Sequence, residues 1–211
     1  MVEIRRRILL WRRSLEPGAV AERSRDAGAV AAEGTTAMLG CTPTHVWSYA
    51  LRHGEVDPDA VTSRWWPAPE IALPVVVGDN LEGRVGATAT VRGAFGVAEP
   101  VDGTPVDVDW ADVVLVPVVA FAQAGARWGH GKGYYDRALG GVARFPGGPL
   151  LVGLAYDEQE TGALQPAAWD VPMDAIATPT RWIPARAGGP SAGGLLLARW
   201  RPLETCRCSG R

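Results

Sequence analysis

Two neighbouring stretches of the sequence decide the fold: residues 112–117 read Asp-Val-Val-Leu-Val-Pro, and residues 125–137 read Gly-Ala-Arg-Trp-Gly-His-Gly-Lys-Gly-Tyr-Tyr-Asp-Arg. The first stretch is apolar and has the length of a buried strand. The second alternates glycines with cations, and a helix is predicted to begin at Tyr134. Glycines let the backbone approach an anion closely, and the N–H groups at the start of a helix are free to bind it. Together the two stretches predict a strand that leads into a phosphate-binding loop and a helix.

The remaining apolar segments predict an α/β fold around that strand. The segments interpreted as strands are residues 44–51, 71–77, 113–119, 150–155 and 175–177, with one or two antiparallel strands within residues 83–97. Residues 5–40 are interpreted as two helices, and the strand at 71–77 is expected to be buried. Short buried strands that alternate with helices indicate a largely parallel sheet covered by helices on both faces, a Rossmann-like three-layer architecture. Ligands bind beyond the carboxyl ends of the strands in such sheets.

Composition and charge are those of a globular protein. The chain has 211 residues, of which 47% are hydrophobic, and this is enough to bury a core. Its 21 Lys and Arg nearly balance its 23 Asp and Glu, so no strong field favours nucleic acid or a membrane surface. The sequence shows neither an apolar run of membrane-spanning length nor a signal-peptide pattern. We therefore expect a cytoplasmic monomer that binds no nucleic acid and no membrane.

The predicted domain organisation is one α/β domain followed by a tail. The domain is expected to cover residues 1–183. Residues 184–211 are rich in Gly, Pro and Ala and show no clear period. Such a composition is typical of a linker-like segment, so we expect this tail to be mobile.

General nucleotide-binding motifs do not account for the loop. A dinucleotide-binding fingerprint requires Gly-x-Gly-x-x-Gly near the first strand. Gly129, Gly131 and Gly133 have a different spacing and lie in the second half of the chain. A Walker A loop requires a glycine five residues before its Gly-Lys pair and a Ser or Thr after it. Ala126 and Gly133 occupy those two positions, so that motif is excluded as well.

The loop closely resembles the signature of the 5-formyltetrahydrofolate cyclo-ligases, also called methenyltetrahydrofolate synthetases. That signature is a strand ending in Val-Pro, then Ala-Phe, then Gly-x-Arg-Leu-Gly-x-Gly-x-Gly-Tyr-Tyr-Asp-Arg. This chain has Val116-Pro117, Ala120-Phe121 and the loop quoted above, with Trp128 in place of leucine. Further segments similar to the family, in the same order, are residues 54–57, 72–75, 95–100, 152–159 and 170–174. The resemblance covers roughly residues 4–180.

The resemblance implies an activity that depends on ATP and Mg²⁺. In the implied reaction 5-formyltetrahydrofolate, with or without a polyglutamate chain, gives 5,10-methenyltetrahydrofolate, ADP and phosphate. The formyl oxygen is phosphorylated first, N10 then closes the ring, and phosphate departs. Transfer of a phosphoryl group requires positive charge and N–H donors around its oxygens. The resemblance therefore assigns catalytic roles to Arg127 and Lys132.

The resemblance also implies which residues contact each ligand. ATP is expected to contact Arg5, Arg127, Trp128, Gly129, His130, Gly131, Lys132, Gly133, Tyr134 and Tyr135. The folate is expected to contact Glu55, His130, Gly131, Lys132, Gly133 and Tyr134. Mg²⁺ is expected to bind Asp136 and Asp170.

Plainer interpretations of the three acidic residues stay open at this point. Asp136 could be a charge that stabilises the N-terminus of a helix, a position where carboxylates are favoured. Asp170 could be a turn residue before Pro172. Glu55 could be an ordinary surface carboxylate.

A few positions depart from the family pattern. If Ile4-Arg5 aligns with a Leu-Arg pair of the family, the lysine that leads the family's first helix falls at Met1. Val118 stands where glycine is common, Ala122 where aspartate is common and Pro58 where threonine is usual. A second hypothesis is therefore a non-catalytic relative that binds folate or nucleotide. A third is an unrelated α/β nucleotide-binding enzyme with a similar loop.

Overall fold

The structure, a computed structural model, describes residues 2–52, 54–93, 96–142, 147–162 and 164–185. The helices are α1 (Val2–Arg13), α2 (Pro17–Leu39), α3 (Asp59–Thr62) and α4 (Tyr134–Val142). The strands are β1 (His45–Trp47), β2 (Glu70–Val77), β3 (Asn80–Val85), β4 (Thr90–Arg92), β5 (Ala98–Pro100), β6 (Thr104–Val106), β7 (Val113–Pro117), β8 (Ala120–Phe121), β9 (Arg127–Trp128), β10 (Leu150–Leu154), β11 (Ala175–Ala177) and β12 (Trp182–Pro184). Met1 and residues 186–211 lie outside the described residues, so the expectations for the lysine position and for the tail stay predictions.

A sheet of eight strands forms the centre of the described fold, in the order β12-β11-β10-β7-β1-β2-β3-β6. The five strands from β11 to β2 in this order run parallel. Antiparallel strands flank them, with β12 on one side and β3 and β6 on the other. The predicted α/β fold with a largely parallel sheet is confirmed.

Alternate residues of β7 belong to two separate hydrophobic clusters. Leu115 packs in one cluster with Ala27 and Ala31 of α2. Its neighbour Val116 packs in the other cluster with Leu139 of α4. Successive side chains of a strand point to opposite faces of the sheet. The helices α2 and α4 therefore pack on opposite faces.

Helix α2 begins and ends where the local sequence favours helix ends. Pro17 occupies the first turn, where its missing N–H costs nothing. Gly40 ends the helix in the left-handed conformation, with φ of 74°, and donates its N–H to the Thr36 carbonyl at 2.9 Å. The predicted pair of helices in residues 5–40 is confirmed.

The predicted strands differ from the observed ones in several places, and β5, β6 and β12 were not predicted. β1 has three residues rather than eight, because the chain after Trp47 leaves the sheet. The expectation that residues 71–77 are buried is wrong: Ala72 is buried, but Val77 is 50% exposed, and Pro74 and Val76 line a cavity. The glycine-rich stretch does not follow β7 directly, since β8 lies between them, and the stretch itself contains β9, the partner of β8 in a small hairpin.

The end of the predicted domain falls within a strand. Pro184, the first residue of the predicted tail, pairs with Ala175 as part of β12. The next residue, Ala185, donates its N–H to the Asp174 carbonyl at 2.8 Å. Within the described ranges, no helix combines the length and the apolar character needed to cross a bilayer.

Candidate active site

A cavity of about 440 Å³ opens where the parallel strands end. Tyr49 and Ala50, which follow β1, line it together with Pro117, the last residue of β7. Residues 165–170, in the segment after β10, contribute Gln165 and Asp170. The carboxyl ends of parallel strands meet at one edge of the sheet, and ligands of α/β proteins bind there. The cavity therefore lies at the edge that the sequence predicts for a ligand.

Every site residue predicted from the sequence lines this one cavity. They come from α1, from the segment after β1, from β9, from the loop that joins β9 to α4, from the first turn of α4, and from the segment before β11. They are Arg5, Glu55, Arg127, Trp128, Gly129, His130, Gly131, Lys132, Gly133, Tyr134, Tyr135, Asp136 and Asp170. Their placement together is an observation, whereas their individual roles stay predictions.

Arg127 and Asp136 form an ion pair in the cavity wall. Arg127 Nη2 lies 3.0 Å from Asp136 Oδ1, which also accepts the Val171 N–H at 3.2 Å. Burial lowers the pKa of the Arg127 guanidinium, and the negative charge of Asp136 acts against that shift. Arginine stays protonated in proteins. A buried cation therefore stands at the cavity with its charge only partly compensated.

Asp170 closes a short turn and also lines the cavity. Its Oδ2 accepts the Ala167 N–H at 2.8 Å, and its own N–H donates to the Ala167 carbonyl at 3.1 Å. The interpretation of Asp170 as a turn residue is thus correct for its local contacts. The negative charge of Asp170, like that of Asp136, acts against the lowering of the Arg127 pKa by burial. Asp170 therefore belongs to the electrostatic environment of the ion pair.

Glu55 is buried, and its carboxylate takes part in three hydrogen bonds. Its Oε1 accepts from Arg12 Nη2 at 3.0 Å and lies 3.2 Å from His130 Nε2, while its Oε2 accepts the Arg52 N–H at 3.0 Å. Burial by itself raises the pKa of Glu55, but the hydrogen bond from His130 and the charge of Arg12 outweigh that effect. The pKa therefore lies below its ordinary value. The interpretation of Glu55 as a surface carboxylate is wrong.

Arg12 belongs to the site's support, and the sequence prediction missed it. Its side chain is only 3% exposed, and its Nη1 donates to the Val118 carbonyl at 3.2 Å. The sequence contains a pattern that predicts this position. Arg5, Ile8 and Arg12 are spaced as i, i+3 and i+7, and residues with this spacing share one face of a helix, so Arg12 is expected on the same face as Arg5.

The first helix reaches the loop through Arg5 and Trp128. The Arg5 guanidinium carbon lies 5.7 Å from the centre of the Trp128 ring, which is the geometry of a cation–π contact. A Cβ on Gly131 would come within 3.1 Å of Arg5 Nη1, and Gly131 has φ of 90°. Glycine therefore lets the loop turn closely beside this cation.

Part of the cavity consists of residues to which the sequence analysis assigns no role. The apolar wall of the cavity consists of Pro74, Val76, Leu81 and Val97. Glu99 of β5 lies in the same part of the cavity, and the exposed Trp169 lies at its rim. Pro74, Val97 and Glu99 belong to segments already named for their similarity to the family, but their position in one cavity depends on contacts between segments that are distant in sequence.

Comparisons with known proteins agree with the resemblance of the loop. A family model described as the 5-formyltetrahydrofolate cyclo-ligase family matches residues 72–179, just over half of the chain. The 5-formyltetrahydrofolate cyclo-ligase of Escherichia coli (strain K12) is 40% identical over 70 residues, which cover 33% of this chain and 37% of that relative. The cyclo-ligase of Mycolicibacterium smegmatis is 32% identical over 120 residues, which cover 56% of this chain and 58% of the relative.

A solved structure is similar over a much greater length. The NMR structure of Aquifex aeolicus 5,10-methenyltetrahydrofolate synthetase superposes with a TM-score of 0.70 at 32% identity. The superposition covers 89% of this chain and 94% of that chain. The curated sequence relatives are matched over about one third to somewhat more than half of their lengths. On the family model and this structural similarity, the chain belongs to the 5-formyltetrahydrofolate cyclo-ligase family.

Proposed function

We propose that the chain is an active cyclo-ligase that converts 5-formyltetrahydrofolate to 5,10-methenyltetrahydrofolate with ATP and Mg²⁺. The observation that supports this most is the convergence of Arg5, Arg127, Lys132, Asp136 and Asp170 on one cavity. Cations beside carboxylates suit the phosphates of a nucleotide with a divalent cation among them. The apolar wall of the same cavity suits the flat rings of a folate.

The two aspartates fit a Mg²⁺ that is held largely by phosphate oxygens. Mg²⁺ usually takes one or two protein carboxylates and completes its shell with phosphates and water. The described residues contain no group of three His, Cys, Asp or Glu that could hold a metal, so a cage made of protein alone is not present there. Asp136 and Asp170 would hold the ion, which supplies positive charge to the phosphoryl group during transfer.

Buried N–H donors in the cavity wall support phosphate binding. The Nε atoms of Arg5 and Arg127 are buried and have no hydrogen-bond partner within the described part of the chain. A buried donor without a partner is unfavourable, and a phosphate oxygen would satisfy it with a charge-assisted bond. Arg127 would therefore stabilise the charge that develops on the transferring phosphoryl group, while the exposed Lys132 approaches it from the loop.

The proposed reaction joins two steps through one phosphorylated oxygen. The formyl oxygen attacks the γ-phosphorus, and ADP leaves. The N10 nitrogen then attacks the formyl carbon, loses its proton, and expels that oxygen as phosphate. Each step moves negative charge onto oxygens that Arg127 and Lys132 can reach, because both residues line the cavity.

Folate contacts form the second part of the proposal. Glu55 Oε1 already accepts two donors and Oε2 accepts one, so one lone pair of the carboxylate is left for the substrate. We assign further contacts to Tyr134 and to the backbone of the loop. His130 would reach the substrate from its position beside Glu55.

One spectroscopic experiment tests the proposed function. The purified protein is mixed with 5-formyltetrahydrofolate and MgATP, and the near-ultraviolet absorbance of 5,10-methenyltetrahydrofolate is followed. We expect the band to grow, and we expect no growth when ATP is omitted or Mg²⁺ is chelated. A flat trace together with folate binding would identify the chain as a non-catalytic folate-binding relative.

A further inference from the structure

Glu99 is a buried carboxylate whose oxygens are poorly satisfied. The residue is only 7% exposed, yet it lines the cavity. Its Oε1 is buried and has no hydrogen-bond partner among the described residues. Its Oε2 accepts the Val76 N–H at 3.4 Å, which is long for such a bond. The role of this carboxylate is not explained by the contacts of the protein itself.

The surroundings of Glu99 make room for the carboxylate, and no ion pair joins it to another residue of the described ranges. The neighbouring residues of the apolar wall are Pro74, Val76, Leu81 and Val97. A Cβ on Gly93 would come within 2.4 Å of Glu99 Oε1, so the absence of a side chain there leaves the space that the carboxylate occupies. An unpaired carboxylate in apolar surroundings is unfavourable. A ligand that donates hydrogen bonds to it would remove this penalty.

The ligand that fits is a flat ring with two adjacent N–H donors. An apolar wall accommodates the ring face, and the two carboxylate oxygens of Glu99 can accept two parallel N–H bonds. The pterin ring of a folate presents such an edge, formed by N3–H and the 2-amino group. The adenine of ATP presents its 6-amino donor beside the acceptor N1, which would repel one carboxylate oxygen. The observed chemistry therefore favours the pterin over the adenine.

Glu55 is less suited to that edge of the pterin. Three of its four acceptor positions are taken by Arg12, His130 and the Arg52 N–H. It can accept one more donor but not a pair of parallel ones. The two carboxylates of the cavity thus differ in the number of donors they can receive.

We propose that Glu99 binds the N3–H and 2-amino edge of the pterin ring and thereby selects folates at this site. This inference rests on the proposed function, since it takes 5-formyltetrahydrofolate as the substrate. It adds a specificity-determining residue that lies outside the glycine-rich loop.

Equilibrium binding in the absence of ATP tests the inference. The affinities of the full-length wild type and Glu99→Gln are measured for 5-formyltetrahydrofolate and for its 2-desamino-2-methyl analogue. We expect the wild type to bind the natural folate about 10- to 150-fold more tightly than the analogue, the range typical of hydrogen bonds to a charged group. We expect Glu99→Gln to lose most of that preference while binding a non-hydrolysable ATP analogue as the wild type does.

A matched control and a stability measurement distinguish a role of Glu99 in ligand binding from a role in stabilising the fold. Glu70→Gln removes the same charge from an exposed position and should leave both folate affinities unchanged. Without ligand, Glu99→Gln should melt at the same temperature as the wild type or higher, because an unpaired buried charge has been removed. A carboxylate with a structural role would instead lower the melting temperature when replaced.

The outcomes distinguish this inference from the proposed function. Equal wild-type affinities for the natural folate and the analogue would overturn the role of Glu99, as would a Glu99→Gln variant with unchanged preference. A wild type that binds the folate with this preference but forms no 5,10-methenyltetrahydrofolate would refute the proposed activity and leave the role of Glu99 supported. A wild type that binds no folate would overturn both.

Discussion

Arg127 carries a positive charge in a place from which most water is excluded. Its guanidinium is buried, and the ion pair with Asp136 offsets part of the cost of removing it from water. A charge held in such surroundings acts on a nearby anion more strongly than a charge in solvent does. Burial of Arg127 therefore costs the unliganded protein free energy, and the same burial would strengthen its effect on a phosphoryl group in the proposed reaction.

Replacing either partner of this ion pair should remove most of the activity. We expect Arg127→Ala to lower kcat by about a hundred- to a thousandfold, the typical effect of losing one donor to developing charge. We expect Asp136→Ala to cause a loss of similar size, because it removes a proposed Mg²⁺ ligand and the ion-pair partner of Arg127. Circular dichroism should show that both variants stay folded. Arg181→Ala is the control, since Arg181 forms exposed ion pairs with Asp157 and Glu160. Rates near that of the wild type in both test variants would contradict the assignment.

Glu55 should make the stability of the protein depend on acidity. Its pKa is lowered in the folded state, so the stabilisation is fully present above its ordinary value of 4.5 and is lost as the pH falls through the folded value. We expect Glu55→Gln to reduce the free energy of unfolding at pH 7 by about 3–5 kcal/mol, because Arg12 loses its buried partner. The variant should also lose less stability on acidification from pH 5 to pH 3 than the wild type does.

Denaturant unfolding at several pH values measures both effects. Glu158→Gln is a suitable control, because its ion pair with Arg23 is exposed and such pairs contribute less than about 1 kcal/mol. If the two Glu→Gln variants showed the same dependence on pH, the lowered pKa of Glu55 would not be the cause.

For single residues, the sequence predicted the members of the cavity that lie close together along the chain. Arg127 through Asp136 form one contiguous run, and all of them line the cavity. Glu99 lies in a segment that was singled out, but neither it nor Arg12 was assigned a role, because both roles depend on partners that are distant in sequence. Glu99 meets Val76 across two strands, and Arg12 meets Glu55 43 residues away. A contact of this kind is visible only after the chain has folded.

Among the elements, the segment between β8 and β9 anchors the approach to the loop. Gly125 has φ of 76°, and its carbonyl accepts the Met173 N–H at 2.9 Å. A Cβ on Gly125 would lie 2.0 Å from the Met173 carbonyl oxygen. A side chain would therefore push this segment away from the strand β11 that follows Met173.

Two glycine substitutions should have opposite effects on stability. Gly125→Ala is expected to cost at least about 2 kcal/mol, because alanine is disfavoured at positive φ and the backbone contact must move. Gly140→Ala in α4 meets no atom within 4 Å and should stabilise the protein by about 0.5–1 kcal/mol. Thermal denaturation of both variants checks this. A stable Gly125→Ala variant would show that the segment can shift without penalty.

Strongly apolar or periodic elements were predicted well, and short edge elements were not. The strand at β7 and the helices α1 and α2 follow from continuous patterns in the sequence. The β8–β9 hairpin has two residues on each side, too few for any period. The burial of β2 was predicted wrongly because its apolar residues partly line a cavity, and an apolar run does not distinguish a core from the wall of a binding site.

For the whole molecule, a ligand in the cavity should raise thermal stability. The lining residues come from segments spread between Arg5 and Asp170, so a bound molecule would contact most of the fold. At a concentration one hundred times its Kd, 5-formyltetrahydrofolate should add about 2.7 kcal/mol, or a rise in Tm of about 5–10 °C. Scanning fluorimetry measures the shift, with p-aminobenzoylglutamate, which lacks the pterin, as the control. No shift at saturation would contradict folate binding to the folded state.

The hydrogen bond from Arg12 to the Val118 carbonyl also bears on how the protein is made. The two residues are 106 positions apart, so the ribosome adds Val118 long after the segment of α1 has left it. At about 5–20 residues per second, this interval lasts about 5–20 seconds. Glu55 is added earlier and can already meet Arg12, but the apolar residue Ile8 of α1 packs against Val119 and Ala120 and stays open to chaperones until they emerge. Completion of the active site is therefore a late event of biosynthesis, and a nascent chain cannot hold substrate before the glycine-rich loop has emerged.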